Sequence, residues 1–212
     1  AYLESQIAGF YERAGLVKLN DGGSGSVTIG GAVSPAGGNF EEPVTQATLK
    51  VVGCFLGLSR DRANARRYPA IQPIDSWSKY PSIVPAEDLA YARHILARGN
   101  EVNQMMKVVG EEGTPMSDFV TYLKSEFLDA VYLQQNNFDE VDGATPAARQ
   151  KTSFGKVVEI LRTDFEFADK DGARRFFQDL RQAYTDLNYT PMETDEYSRL
   201  LQQIGEMVGK IS

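Results

Sequence analysis

Apolar positions along the chain change their spacing part-way, and the change divides it. Leu3, Ile7, Phe10 and Ala14 recur every three or four residues, which predicts a helix over 1–15 stopped at Gly15. Val27, Thr28, Ile29, Ala32 and Val33 then form a short, nearly continuous apolar run. That is the pattern of a strand covered on both faces, with Gly30 and Gly31 where a neighbour approaches closely. The turn before it, Asp21-Gly22-Gly23-Ser24-Gly25, reads as a surface hairpin or a crossover loop; a phosphate cradle needs a following helix N-terminus, and the pattern offers none. Ser34-Pro35 ends the run, and Ala36 to Pro43 is a shaped loop. Helical spacing returns at Val44, Thr48, Val51, Val52, Phe55 and Leu58, ending near Gly57, and Tyr68-Pro69-Ala70-Ile71 is a second extended piece. Strand, loop, helix, strand is the order of a βαβ crossover in a parallel sheet.

From Ala86 onward every apolar stripe has helical period. Glu87 to Val109 forms one helix; Phe119, Leu123, Phe127 and Val131 stripe a second; Phe154, Val157, Val158, Leu161 and Phe165 a third. Phe176, Phe177, Leu180 and Leu187 mark a fourth, and Tyr197, Leu200, Leu201, Ile204, Met207, Val208 and Ile211 a fifth. Thr114-Pro115, Thr145-Pro146 and Thr190-Pro191 each offer an N-cap hydroxyl followed by proline at the first helical position. These stripes are core seams, and the expected fold is the remnant of an α/β domain, residues 1–85, followed by an α-helical bundle, residues 86–212.

Composition sharpens that boundary. Eight basic and seven acidic side chains lie in residues 1–85, leaving fourteen and twenty-two for the rest, so the net charge of −7 belongs to the second half. An acidic bundle argues against nucleic-acid binding, whose footprint is a basic face. The single cysteine, Cys54, excludes a disulfide within the chain and fits a reducing compartment. No apolar run approaches the roughly 18 residues of a membrane span, so membrane association is expected only through partners. His94 has no Cys or carboxylate at ligand spacing, and Asp139, Glu140 and Asp142 lack the alternation and glycine of a calcium loop, so neither predicts a metal.

Several segments carry a resemblance. Gly25 to Thr28, Gly31-Ala32-Val33-Ser34-Pro35, Gly37-Gly38, Phe40 and Glu42 to Leu49 closely resemble the catalytic A subunit of V-type and archaeal-type rotary ATPases. Ala1-Tyr2-Leu3 with Phe10 to Gly15, and Tyr132 to Asn136 with Phe138 to Asp142, are similar to the same family in the same order. The loop Ser34 to Phe40 favours this A type over the non-catalytic B subunit. The resemblance implies a RecA-like P-loop NTPase domain followed by a helical domain. It implies ATP or ADP with Mg²⁺ as ligand, B subunits as partners in an alternating hexamer, contact with a central rotor stalk, and a peripheral place on the cytoplasmic side of a membrane.

The resemblance also assigns roles to two segments. Taken alone, Tyr68 beside Pro69 reads as loop packing; in the family an aromatic here stacks on adenine. Gln135 and Phe138 taken alone are capping and staple residues; in the family their loop closes over the base opposite the Tyr68 position, which implies hydrogen bonding by Gln135 and stacking by Phe138. The catalytic signature itself is missing: Gly155-Lys156 is followed by Val157 and Gly209-Lys210 by Ile211, so no G-x-x-x-x-G-K-[ST] is present. The phosphate and Mg²⁺ ligands are therefore expected outside this chain, which looks like a C-terminal piece of a longer subunit and by itself should not hydrolyse ATP. The competing class is a stand-alone, non-catalytic helical protein-interaction module.

Overall fold

The computed structural model describes residues 2–211; Ala1, which begins one of the motifs above, and Ser212 lie outside the described residues. Two compact units result. One holds the chain up to Leu56 together with Ser76–Tyr80, the other Gly57–Asp75 and the chain from Pro81 onward.

In the smaller unit, helix α1 (Tyr2–Tyr11) is shorter than the predicted 1–15, because residues from Gly15 are taken into a hairpin. Strand β1 (Gly15–Lys18) pairs antiparallel with β2 (Ser24–Val27) around the Asp21-Gly22-Gly23 turn, where the Gly23 amide donates to the Asp21 carboxylate at 2.9 Å. The apolar run therefore contributes only Val27 to a strand, and Thr28 to Val33 find no strand to pair with among the described residues. Gly31 does mark a close approach: a Cβ there would stand 1.9 Å from the Tyr11 hydroxyl. Helix α2 (Pro43–Val51) is capped by Glu42, whose carboxylate accepts from the Val44 amide at 3.3 Å and from the Thr45 hydroxyl at 2.9 Å. It stops earlier than its stripe suggests. Cys54–Phe55 leaves the helix as strand β3 and pairs antiparallel with β4 (Trp77–Ser78). The βαβ crossover is thus replaced, among the described residues, by two small antiparallel sheets. Apolar spacing reports burial but not which strand lies alongside, and here both partners are near in sequence or return after a loop.

The larger unit holds the expected helices, together with Gly57–Asp75, which the sequence pattern places in the α/β half. Its helices are α4 (Ala86–Val109), α5 (Met116–Leu128), α6 (Ala147–Arg162), α7 (Lys170–Tyr189) and α8 (Asp195–Gly209). Before them, α3 (Arg60–Asn64) is a short helix that periodicity did not predict, capped by Ser59. The seam residues are buried as their spacing demands, with Phe119, Phe127, Val157, Leu161, Leu180 and Leu187 all at or below 2% exposure. Val131 is buried too, but on a π-helical turn, Asp129–Leu133, that extends α5, and Phe165 packs from the loop after α6 against Phe176 and Phe177.

The Thr-Pro devices work differently from the prediction. Pro115 and Pro146 themselves stand at the N-cap with extended ψ, so Thr114 and Thr145 lie one residue further out. Their hydroxyls donate backward, to the Gly110 and Asp142 carbonyls at 3.0 Å each. Thr190 terminates α7 and donates to the Asp186 carbonyl, while α8 is capped by Thr194. Position decides the cap: Thr194, which stands at the N-cap itself, donates to the Pro191 carbonyl at 2.7 Å and still accepts from the Tyr197 amide at 3.2 Å.

One crossing is unusually tight. A Cβ on Gly99 of α4 would lie 2.2 Å from Cβ of Ser125 on α5. Gly99→Ala is therefore expected to lower bundle stability by about 1–3 kcal/mol through overpacking. In urea unfolding, Gly99→Ala combined with Ser125→Gly should be more stable than the sum of the single effects. An unchanged midpoint for Gly99→Ala would show that the helices do not cross so closely.

Candidate nucleotide-base site

The segment that carries Tyr68 is built by its own loop. Ser59 donates its amide to the Ala70 carbonyl at 2.8 Å and Gln72 to the Gly57 carbonyl at 2.7 Å, an antiparallel return that brackets α3 and holds Leu58 opposite Ile71. Tyr68 lies on that return, ahead of a cis bond to Pro69, rather than at the carboxyl end of a parallel strand. Its ring is about half exposed, 54%, with the hydroxyl reaching the Ala63 carbonyl at 3.4 Å.

The second segment leaves the π-helical turn at Gln134. The Asp129 carbonyl closes that turn on the Gln134 amide at 3.0 Å, and the next amide, that of Gln135, donates to the Tyr68 carbonyl at 2.9 Å. Two residues 67 positions apart are thereby joined main chain to main chain. Beyond them the loop is a web of side-chain to backbone bonds. Asp139 accepts from the amides of Val141 at 2.9 Å and Asp142 at 2.8 Å, and Asp142 accepts from the Asn136 amide at 2.6 Å. Burial holds the Asp142 carboxyl above the usual carboxylate range, while the Asn136 hydrogen bond pulls the other way. The Gln135 side-chain amide donates to the Asp142 carbonyl at 3.2 Å, which fixes its plane.

Phe138 sits at the tip of this loop at 99% exposure, its amide held by Asn136 Oδ1 at 3.1 Å. The structure thus brings Tyr68 and Gln135 together, and it leaves Phe138 as a bare ring on a hydrogen-bonded loop. Behind the loop lies a cavity of about 190 Å³ whose polar lining includes Gln134, Gln135, Asp142, Arg149, Gln150 and Asn188.

Sequence reasoning passed over the charges that secure this arrangement. Asp129, only 4% exposed, bridges Arg62 at 2.6 Å and Arg67 at 2.5 Å, and Arg67 also pairs with Glu126 at 2.7 Å. The Glu126 hydrogen bond, with both carboxylate charges, pushes the Arg67 guanidinium above its ordinary value. The crowding of arginines before Tyr68 was a visible signal; their partner two helices away was not. Arg149, 6% exposed, was equally silent: it donates to the carbonyls of Leu187, Asn188 and Thr190 at 2.8–2.9 Å and lies over the Tyr197 ring. Among the described residues no group of three His, Cys, Asp or Glu side chains is placed to hold a metal ion. Nor is any described helix long and apolar enough to cross a membrane.

Residues 1–78 match the family model of the ATP synthase alpha/beta family, nucleotide-binding domain, and residues 89–168 that of the C-terminal domain of V and A type ATP synthase. The V-type ATP synthase alpha chain of Treponema denticola is 63% identical over 197 residues, covering 93% of this chain and 33% of that protein. That of Borrelia turicatae is 59% identical over 208 residues, 98% of this chain and 36% of the relative. The chain thus spans about a third of the length of these relatives. A solved structure titled as a unique ATP synthase subunit NeqB from Nanoarcheaum equitans superimposes with a TM-score of 0.63 at 20% identity, over 77% of this chain and 42% of that one, a likeness of fold.

Proposed function

Because the chain belongs to the family of V-type ATP synthase alpha chains and corresponds to their C-terminal part, we propose that it supplies the adenine side of the nucleotide site in a rotary ATPase. The enzyme couples ATP hydrolysis or synthesis to proton or sodium transport. The hydrogen bond from the Gln135 amide to the Tyr68 carbonyl carries this reading, since it puts an exposed aromatic ring and an amide-bearing loop at one place. Tyr68 stacks on the base, Gln135 hydrogen-bonds to it, and Phe138 closes over it from the loop tip. Phe138, 99% exposed, is the ring left open to a ligand face.

In this reading ATP or ADP arrives with Mg²⁺, which screens the phosphate charge, and the groups that hold metal and phosphates belong to residues outside 1–212. Residues 1–85 complete the α/β nucleotide domain and residues 86–212 the helical one. The partners are B subunits in an alternating hexamer and a central rotor stalk, on the cytoplasmic side of the membrane and peripheral to it. Support for a rotor contact comes from the end of α4, where Val108 is 84% and Val109 52% exposed beside Glu111 and Glu112. Nucleotide closure would reach that tip as rigid-body motion of the helices.

Stacking contributes on the order of 1–3 kcal/mol per base, while a 1 mM complex requires about 4 kcal/mol. The 212-residue chain alone is therefore expected to bind ATP more weakly than millimolar and not to hydrolyse it. Calorimetry giving a Kd below about 100 µM would contradict a phosphate site elsewhere. In the full-length subunit, Tyr68→Ala or Phe138→Ala should weaken ATP binding by roughly 5- to 100-fold; unchanged affinity in both would sink the adenine assignment.

A further inference from the structure

Asp129 occupies a singular position in the larger unit. Its side chain holds the segment carrying Tyr68, through Arg62 Nη1 on Oδ1 at 2.6 Å and Arg67 Nη1 on Oδ2 at 2.5 Å. Its main chain closes the π-helical turn from which Gln135 departs, through its carbonyl and the Gln134 amide. One residue is therefore the common origin of both halves of the base site. Arg62 Nε and Nη2 are buried without an acceptor among the described residues, so Asp129 is the charge that keeps that guanidinium in place. Glu126 secures only Arg67, and from a position 38% exposed. π-Helical turns recur at functional sites, where one extra residue re-aims the chain beyond it. In this chain the segment so aimed is the loop from Gln134 to Asp142.

We propose that Asp129 is a positioning residue of the adenine subsite: with Arg62 and Arg67 it fixes the Tyr68 segment against the start of the Gln135 loop and so sets the gap the base enters. This rests on the assignment of Tyr68 and Gln135 to adenine. Asp129 itself touches neither base nor phosphate and acts through Tyr68.

The test is steady-state ATP hydrolysis by the complete subunit assembled in its complex, in a double-variant cycle. Asp129→Asn keeps the shape and removes the charge. It is expected to raise KM for ATP by roughly tenfold, with the loss falling on KM rather than kcat. Added to Tyr68→Ala it should raise KM no further, because both act on the same contact. A general loss of stability would instead lower active-enzyme yield and kcat in either background. Arg67→Gln leaves the Arg62 bridge intact and serves where Asp129→Asn folds poorly; it should raise KM about threefold, again only when Tyr68 is present. If Tyr68→Ala leaves KM unaltered, Tyr68 is not a base contact and this inference fails; if Phe138→Ala leaves it unaltered as well, the adenine reading fails with it. If Tyr68→Ala raises KM while Asp129→Asn and Arg67→Gln do not, or add in full on top of it, the positioning role alone is overturned.

Discussion

Phe127→Ala is expected to cost the bundle about 3–5 kcal/mol, the range for deleting a fully buried aromatic ring from a core. Phe127 is 2% exposed and presents its ring edge-on to Tyr184, 5.6 Å between centroids, and to Phe177 at 6.2 Å. It is the point where α5 meets α7. Phe177 in turn packs on Phe165, Phe167 and Phe176, so a cavity at 127 removes support from that cluster as well. The measurement is the urea midpoint at constant slope. Phe127→Leu, which keeps most of the volume, should cost under about 1.5 kcal/mol. A loss below about 1 kcal/mol for the alanine variant would mean that this aromatic seam does not organise the bundle.

Arg149→Ala is expected to cost about 2–3 kcal/mol, for a different reason. The last carbonyls of a helix lack the usual intrahelical amides; here a single guanidinium donates to those of Leu187, Asn188 and Thr190, of which Leu187 also takes the Thr190 amide. The positive charge also faces the negative end of the α7 dipole. Truncation leaves the Asn188 and Thr190 carbonyls without this donor, at about 1 kcal/mol or more apiece, and the Leu187 carbonyl with only the Thr190 amide at 3.1 Å. Arg149→Lys should recover only part, since an ammonium on a shorter reach cannot span three carbonyls in one plane. Hydrogen exchange of the amides at the end of α7 should speed up in Arg149→Ala beyond the global change. Exchange that rises uniformly along the chain would show that the cap is not local.

The bundle was legible because helical periodicity is a local property: Phe119, Leu123, Leu161 and Leu180 announce their face within a turn or two. It failed where local geometry departs from the α period, as at Val131 on the π-helical turn and Phe165 in the following loop. The α/β half was less legible because strand pairing is not local. Val27 shares its apolar run with Val33 yet stands 58% exposed in a hairpin edge, and Phe55 completes a helical stripe yet lies in a strand with Trp77 opposite. Of the candidate base site, the resemblance supplied the three residues and set the Gln135 loop opposite Tyr68; the structure adds the main-chain hydrogen bond that joins them. Asp129 and Arg149 carry no sequence mark at all. A charged residue looks the same in sequence whether it is solvated or bridges buried donors.

Trp77 is the chain's single tryptophan, and it belongs to the smaller unit, with Phe55 6.3 Å away and the Lys79 ammonium 5.4 Å above its ring. Indole emission is therefore a local gauge of β4 and its neighbours, while far-ultraviolet ellipticity is dominated by the five bundle helices. Recorded together during one denaturant titration, the two signals separate what a single curve would merge. Superimposed transitions mean that both units melt as one cooperative body, and separated ones assign a free energy to each.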